Sequence, residues 1–195
     1  MKSLNQYLED AAKIHGHLCA GQVLGVRMAM YGLRLLGIND PEGVDRKRTV
    51  TFVEIDRCAT DAVGLVTNCR LGKRALKFRD WGKMAATIID LQSGKAVRVA
   101  ALESSKKLAK EMHPELENKN QQQMLAYREM SDEELFSKEW VKVELPEQEF
   151  PGYKGERIVC AECGEGIAFK REVVRDGRTL CRGCAGERYY TKLDS

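Results

Sequence analysis

The stretch HGHLCAG, which begins at His15, concentrates groups that could do chemistry, because it holds two of the chain's three histidines and one of its seven cysteines. Imidazole and thiolate bind transition metals and also act in acid–base and nucleophilic catalysis. If the stretch is helical, His15 and Cys19 share a face. If it is a turn or extended, His17 and Cys19 lie on the same side. Gly16 and Gly21 favour a break in the helix, and therefore the second arrangement.

A site built on His17 and Cys19 needs a further ligand from another element, and Cys58, at the end of a predicted strand, is the expected one. Three protein ligands with an exchangeable fourth position are the layout of a catalytic metal site, here for a second transition metal. Without a metal, a His–Cys pair can form a nucleophile of low pKa. A third interpretation also stays open, in which the free cysteines are only small buried hydrophobes.

A second group of cysteines lies near the C-terminus, with the spacing Cys160-x2-Cys163-x17-Cys181-x2-Cys184. This spacing falls within the range of tetrahedral four-thiolate zinc sites. The Asp-Gly pair at residues 176–177 predicts a hairpin between the two halves. Two redox-active CxxC pairs are the alternative, but structural zinc explains better why a second pair stands at this distance. A closed shell of four thiolates is expected to stabilise the fold without doing chemistry.

The composition is that of an ordinary globular protein, with 43% hydrophobic and 31% charged residues and a formal net charge of +3. The small charge gives no reason to expect nucleic acid. The chain has no apolar run near the ~18 residues of a membrane span, and its N-terminus lacks the features of a signal peptide. We therefore expect a cytoplasmic protein, in which metal binding or catalysis explains the cysteines better than disulfides do.

The hydrophobic patterns predict an α+β fold with helices packed on an antiparallel sheet, followed by a small zinc finger. A region rich in proline and glycine after Leu145 indicates a domain boundary. The domains are then a core at 1–145, a linker at 146–156 and a finger at 157–195. The predicted helices are 4–13, 20–36, 60–67, 103–112, 117–130 and a short one started by a Ser131–Glu134 capping box; the predicted strands are 49–56, 75–80, 84–91, 96–102 and 140–145, with the middle strands in an antiparallel meander.

Three ordered stretches resemble the core domain of the FmdE family, which is named for one of the subunits of formylmethanofuran dehydrogenase. They are HGHLCAGQVLGVRMA, EIDRCATDAVGLVTNCRLGKRAL, and RDWGKMAATI with SGKAVRV, and the similarity runs from about residue 5 to 102. The resemblance implies an α+β core, often a homodimer with exchanged elements, a cleft lined by the motif residues, and a C-terminal treble-clef zinc finger.

Carried onto this chain, the three motifs mark a set of candidate site residues, with some departures from the family pattern. Asn68, Arg70 and Arg74 replace smaller residues and make the pocket expected near Cys69 bulkier and more cationic. The matching positions are His17 and Cys19 in the first motif, Cys58, Asp61, Cys69, Gly72 and Lys73 in the second, and Asp80, Gly82 and Lys83 in the third.

From these residues we expect a reactive cleft in the core. His17, Cys19 and Cys58 would hold an exchangeable ion, and Asp61 would orient a ligand or act as a base. Cys69 would line the cleft wall, while Lys73 and Arg70 would attract a small anionic ligand.

Three functions fit this picture. The first is a metal-binding protein accessory to a molybdenum or tungsten oxidoreductase, or itself an enzyme, and the second is a scaffold for larger oxidoreductase subunits. In the third, the finger resembles TraR-type regulators and would contact nucleic acid or a protein partner. The basic residues that would make this contact are Lys170, Arg171, Arg175, Arg178 and Arg182, although such charges usually form a solvated face.

Overall fold

The computed structural model describes residues 1–193 and divides the chain into two compact units, Met1–Glu144 and Leu145–Ser195. The first unit is a mixed α/β domain with a five-stranded, mostly antiparallel sheet. The second contains two small hairpins and the C-terminal cysteines. The α+β class expected from the sequence is confirmed. The separate linker at 146–156 stays a prediction, since the second unit begins at Leu145.

The first unit alternates helices and strands along the chain. Its helices are α1 (Leu4–His15), α2 (Ala20–Leu35), α3 (Cys58–Val66), α4 (Ser104–Met112), α5 (Lys119–Glu129) and α6 (Asp132–Leu135); its strands are β1 (Thr49–Val53), β2 (Leu76–Phe78), β3 (Ala85–Asp90), β4 (Ala96–Ala101) and β5 (Phe136–Val141). Among the described residues, no helix combines the length and the hydrophobicity that crossing a membrane requires.

The sheet has the order β2-β1-β3-β4-β5, and its edge corrects one prediction. β1, β3, β4 and β5 pair antiparallel, whereas β2 pairs parallel with β1, so the region is not wholly an antiparallel meander. The reason is the connection: α3 lies between β1 and β2 and returns the chain to its starting direction, as a strand–helix–strand crossover does.

One face of the sheet packs against the helices. Alternate residues of the strands, including Val53, Ala86 and Val99, join apolar side chains of α1, α2 and α3 in a single hydrophobic core. Val53 stands opposite Ala86, and Ala86 stands opposite Val99, so these three side chains line one face. The core therefore fixes α2 and α3 against the sheet.

The end of the first unit differs from the prediction in its boundaries. The capping box of Ser131 and Glu134 is present and starts α6 as expected. This helix has only four residues, and the strand predicted at 140–145 begins directly after it, at Phe136. The strand starts early because Phe136 is buried in the core, which anchors the first residue of β5.

The second unit is built from short hairpins. β6 (Ile158–Val159) pairs with β7 (Gly166–Ile167), and β8 (Val173–Arg175) pairs with β9 (Arg178–Leu180). The predicted Asp-Gly turn lies between β8 and β9, with φ of 49° at Asp176 and 71° at Gly177. Two consecutive positive φ angles are those of a type I′ hairpin.

A buried ion pair ties the chain before β1 to the end of β3. The Arg48 guanidinium donates to both oxygens of Asp90 at 2.7 and 2.8 Å, and Asp90 is 1% exposed. The same guanidinium donates to Asp45 at 2.9 Å. Arg48, together with a hydrogen bond from Ser93, holds the pKa of Asp90 well below its usual range.

We expect Asp90→Asn to lower the free energy of unfolding at pH 7 by about 3 kcal/mol, because it removes one partner of a buried pair. The lowered pKa means that this stabilisation is present above the unfolded-state value near 4 and is lost as the pH falls. The difference between wild type and variant in urea unfolding should therefore shrink from pH 7 to pH 3. Glu103→Gln, in an exposed pair with Lys106, is the control and should change nothing. A difference independent of pH would contradict the prediction.

Candidate functional site

The turn between α1 and α2 brings three potential metal ligands together. Gly16 adopts a left-handed conformation (φ 91°) and ends α1 directly after His15. Cys19 is the extended N-cap residue of α2. The helix is thus broken at the glycine, and one ligand atom each of His15, His17 and Cys19 lies within 4.8 Å of the other two. Their types and distances suit a transition-metal ion.

A carboxylate from α3 orients the first of these histidines. His15 Nδ1 lies 3.0 Å from Asp61 Oδ2, and the rings of His15 and His17 are 5.0 Å apart between centroids. If Nδ1 carries the proton and donates it to the carboxylate, Nε2 keeps a free lone pair. This carboxylate–histidine arrangement is the one that holds metal-binding imidazoles in position.

Cys58, the first residue of α3, lies next to Cys19. Burial raises the pKa of the Cys58 thiol, and its hydrogen bond with Cys19 raises it further. The side-chain amide of Gln22 donates to the Cys58 carbonyl at 2.8 Å. Gln22 is fully buried, so this bond joins α2 to the first turn of α3 inside the protein.

The two thiols meet because α2 and α3 cross at very short range. A Cβ atom added to Gly25 would lie 2.5 Å from the carbonyl oxygen of Ala59 and 2.8 Å from its Cα. No side chain fits there, so glycine is required for the backbones to approach this closely. Ala59 follows Cys58 directly, and the crossing therefore sets the position of Cys58 relative to Cys19.

Four of the six predicted core-site residues are neighbours in the structure: His17, Cys19, Cys58 and Asp61. The roles assigned to them as ligands, nucleophile or base stay predictions. Cys58 lies beside Cys19 but is not one of the three residues whose ligand atoms are mutually within 4.8 Å.

The structure places Cys69 in the hydrophobic core and not at the cleft that the sequence suggested. Its sulfur lies 3.3 Å from the Thr49 hydroxyl and 3.4 Å from that of Thr51, and the residue is 1% exposed. Lys73 is exposed on a short helical turn at Leu71–Lys73. Both follow the far end of α3, whose nine residues span about 13 Å, and this length separates them from Cys58.

His15 is the site residue that sequence reasoning leaves out of the expected ligand set. A helical HGHLCAG pairs His15 with Cys19, an extended one pairs His17 with Cys19, and the two arrangements exclude each other. The turn at Gly16 satisfies both, because the last residue of α1 and the two following side chains can face one point. The signal that could have found it is a histidine directly before a helix-ending glycine.

The second cysteine group forms a compact four-sulfur cluster in the second unit. The sulfurs of Cys160, Cys163, Cys181 and Cys184 all lie within 4.8 Å of one another, and Cys163 and Cys181 are 3.9 Å apart. Zinc–sulfur bonds of about 2.3 Å in a tetrahedron put sulfurs about 3.8 Å apart, so the cluster fits the ion.

Backbone amides prepare these sulfurs for a cation. The Cys181 amide donates to the Cys160 sulfur at 3.2 Å, and the Cys184 amide donates to the Cys181 sulfur at 3.3 Å. Amide donors, with that of Cys163 the strongest, lower the pKa of Cys160 to about 6. By contrast, burial and neighbouring thiols raise the pKa of Cys184 to about 12. A divalent cation would relieve this mutual repulsion of the thiolates.

The elements around the cluster match the order that the predicted treble clef needs, which stays a prediction. The first two cysteines flank the turn between β6 and β7, the hairpin of β8 and β9 follows, and Cys184 lies on a short helical segment at Gly183–Glu187. Of the five basic residues considered for nucleic acid, all are exposed, and Lys170 and Arg182 lie near Glu147 and Glu187.

The fold and the two cysteine centres define the class: an α+β domain with a His–Cys centre, joined to a four-cysteine zinc-finger unit. Residues 14–137 match the family described as "FmdE, Molybdenum formylmethanofuran dehydrogenase operon". Residues 153–190 match the "Prokaryotic dksA/traR C4-type zinc finger". The chain belongs to the FmdE family.

Two relatives extend the comparison. The chain is 34% identical to a "Probable S-adenosyl-L-methionine-binding protein" of Archaeoglobus fulgidus, over 95% of this chain and 54% of that protein. It thus spans about half the length of the curated relative it matches. It also resembles the crystal structure of an FmdE-like protein of the tungsten formylmethanofuran dehydrogenase type from Syntrophus aciditrophicus, with a TM-score of 0.66 and 25% identity over 97% of this chain and 96% of the other.

We expect Gly25→Ala to destabilise the protein by about 1–3 kcal/mol, because the added methyl group collides with the Ala59 backbone. Separation of α2 from α3 should also expose Cys58 and speed its reaction with a thiol reagent. Urea unfolding and the rate of thiol modification measure the two effects. Gly72→Ala is the matched control, since a Cβ there meets nothing within 4 Å. Equal behaviour of the two variants would show that the crossing tolerates a side chain.

Proposed function

We propose that the core unit binds an exchangeable transition-metal ion through His15, His17 and Cys19, in addition to the structural zinc of the finger. The observation that carries the proposal is the convergence of two imidazoles and a thiol to within 4.8 Å on one turn. This ligand set differs from the expected one in that His15 joins His17 and Cys19. Cys58 stands beside Cys19 as a further sulfur.

Several features support an open site in place of a closed structural one. His17 is exposed, and His15 and Cys19 are half-buried, so the ligands are reachable from solvent. Three ligands from one turn leave a coordination position for water or a small ligand. Asp61 would hold His15 in the orientation that presents Nε2 to the ion.

The bound ion would supply Lewis acidity, and the surrounding residues would control access to it. Asp61 keeps a proton on His15 Nδ1 and fixes the ring. Gln22 holds the first turn of α3, and with it Cys58, at the edge of the centre. Thiolates and free imidazoles require a reducing compartment, and this agrees with the proposal that the protein works in the cytoplasm.

The family suggests the setting in which such a centre would act. We propose that the chain is accessory to a molybdenum or tungsten oxidoreductase of the formylmethanofuran dehydrogenase type. The support is the family's description, which names that operon, and the similarity to another FmdE-like protein over nearly the whole chain.

Metal analysis tests the core site directly. After dialysis against a weak chelator, wild type should retain two ions per chain, one from each centre. His15→Ala and Cys19→Ala should each retain one ion, because two ligands hold a transition metal poorly. Cobalt substitution gives a second readout, since thiolate–cobalt absorption from the core should disappear in Cys19→Ala.

Two further variants separate the centres. Cys69→Ser removes a buried sulfur outside the cluster and should retain both ions. Cys163→Ser should lose the finger's ion and keep the core's. Equal metal contents in wild type and His15→Ala would overturn the core site, while leaving the zinc finger intact.

Affinity purification from the native organism tests the accessory role. The tagged full-length chain should enrich proteins that carry molybdenum or tungsten, detected by mass spectrometry and by elemental analysis of the eluate. An unrelated tagged protein of similar charge is the control. Recovery of the chain with no such proteins and no bound molybdenum or tungsten would contradict this assignment.

A further inference from the structure

We propose that Cys19 and Cys58 form a redox-active dithiol, which a peroxide or a small disulfide converts to an intramolecular disulfide joining α2 to α3. The pairing itself rests on the packing of the two helices. Only its effect on the core ion, described below, depends on the proposed metal site.

The two thiols are already in contact. The Cys58 thiol hydrogen-bonds to the Cys19 sulfur, and both side chains border the same small space at Gly21. A Cβ atom added to Gly21 would lie 3.2 Å from the Cβ of Cys58 and 3.7 Å from the Cys19 sulfur. A larger residue at Gly21 would therefore push between the two side chains.

The backbone holds the pair from both sides. The close crossing at Gly25 prevents α3 from moving away without loss of packing, and Gln22 is bonded to the Cys58 carbonyl at 2.8 Å. At the other end of the pair, the side-chain carbonyl of Asn120 accepts the Ala20 amide hydrogen at 3.0 Å, next to Cys19. Fixed neighbouring thiols lose little conformational freedom when a disulfide forms, which favours oxidation.

Exposure distinguishes this pair from the remaining core thiol. Cys19 and Cys58 are half-buried beside the exposed His17, so a small oxidant can reach them. Cys69 is buried and its sulfur contacts Thr49 and Thr51. The same small oxidant therefore reaches Cys69 poorly, and Cys69 serves as an internal control.

The chemistry balances with hydrogen peroxide as oxidant. The Cys19 sulfur attacks one peroxide oxygen, the O–O bond breaks, and a sulfenic acid and one water form. The Cys58 sulfur then attacks the sulfenic sulfur, the S–S bond forms, and a second water leaves. The two thiols lose two electrons and two protons, and the peroxide accepts both. With a small disulfide, the same two electrons reduce it to two thiols.

Oxidation would change the proposed metal centre. A Cys19 sulfur engaged in a disulfide offers no thiolate, so only His15 and His17 would remain on the turn. Loss of the thiolate should release the core ion, while reduction of the disulfide should restore the site. The dithiol would thus couple the occupancy of the site to the oxidant level.

Peptide mapping of the full-length chain tests the disulfide. After treatment with a mild chelator and hydrogen peroxide, and blocking of free thiols, trypsin should yield residues 14–27 linked to residues 58–70. The second peptide carries both Cys58 and Cys69, so fragmentation of the linked pair must assign the sulfur. Alkylation of Cys19 should fall at least about tenfold on oxidation and recover with dithiothreitol.

Three variants and one comparison make the outcome decisive. The link should persist in Cys69→Ser and disappear in Cys19→Ala and Cys58→Ala, each checked for folding by circular dichroism. A link through Cys69, or unchanged alkylation of Cys19 in wild type after oxidation, would overturn the proposal. The wild-type measurement stands even if a variant fails to fold.

Metal content measured on the same samples separates this proposal from the previous one. A linked pair in a protein that never holds a core ion would leave the dithiol standing and remove the metal site. A core ion bound by a protein that forms no link would do the reverse.

Discussion

The contact between Gly25 of α2 and the backbone of Ala59 in α3 is the constraint on which the core site depends. It brings two helices close enough for the residues at their N-terminal ends, Cys19 and Cys58, to touch. Glycine inside a helix costs about 1 kcal/mol relative to alanine. The protein therefore trades some stability of α2 for a fixed distance between groups that are far apart in sequence.

The polar residues of α2 serve the same purpose. Gln22 and Arg27 interrupt the most apolar helix of the sequence, and both make buried or half-buried hydrogen bonds to neighbouring elements. Gln22 donates to α3, whereas the Arg27 guanidinium donates to the carbonyls of Tyr127 and Met130 and to Asp132. Each interruption of the apolar pattern is thus a point at which the helix is tied to a partner.

Local features could be predicted from the sequence, and long-range ones less well. The break at Gly16, the hairpin at residues 176–177 and the four-cysteine cluster follow from residue types and short spacings. The parallel pairing of β2 and the burial of Cys69 depend on where the crossover through α3 returns, which spacing alone does not determine. Cys69 shares a motif with Cys58, but the intervening helix carries it to the opposite end of that element.

The attachment of α5 to α2 has a mechanical consequence. Asn120, near the start of α5, caps the amide of Ala20 beside Cys19, and Arg27 of α2 holds carbonyls at the end of α5. The two helices are therefore clamped at two points, and α5 moves with α2 as one rigid body. A force that shifts α5 without α2 would strip the amide beside the thiol of its acceptor, so strain at a distant surface would be transmitted to the sulfur.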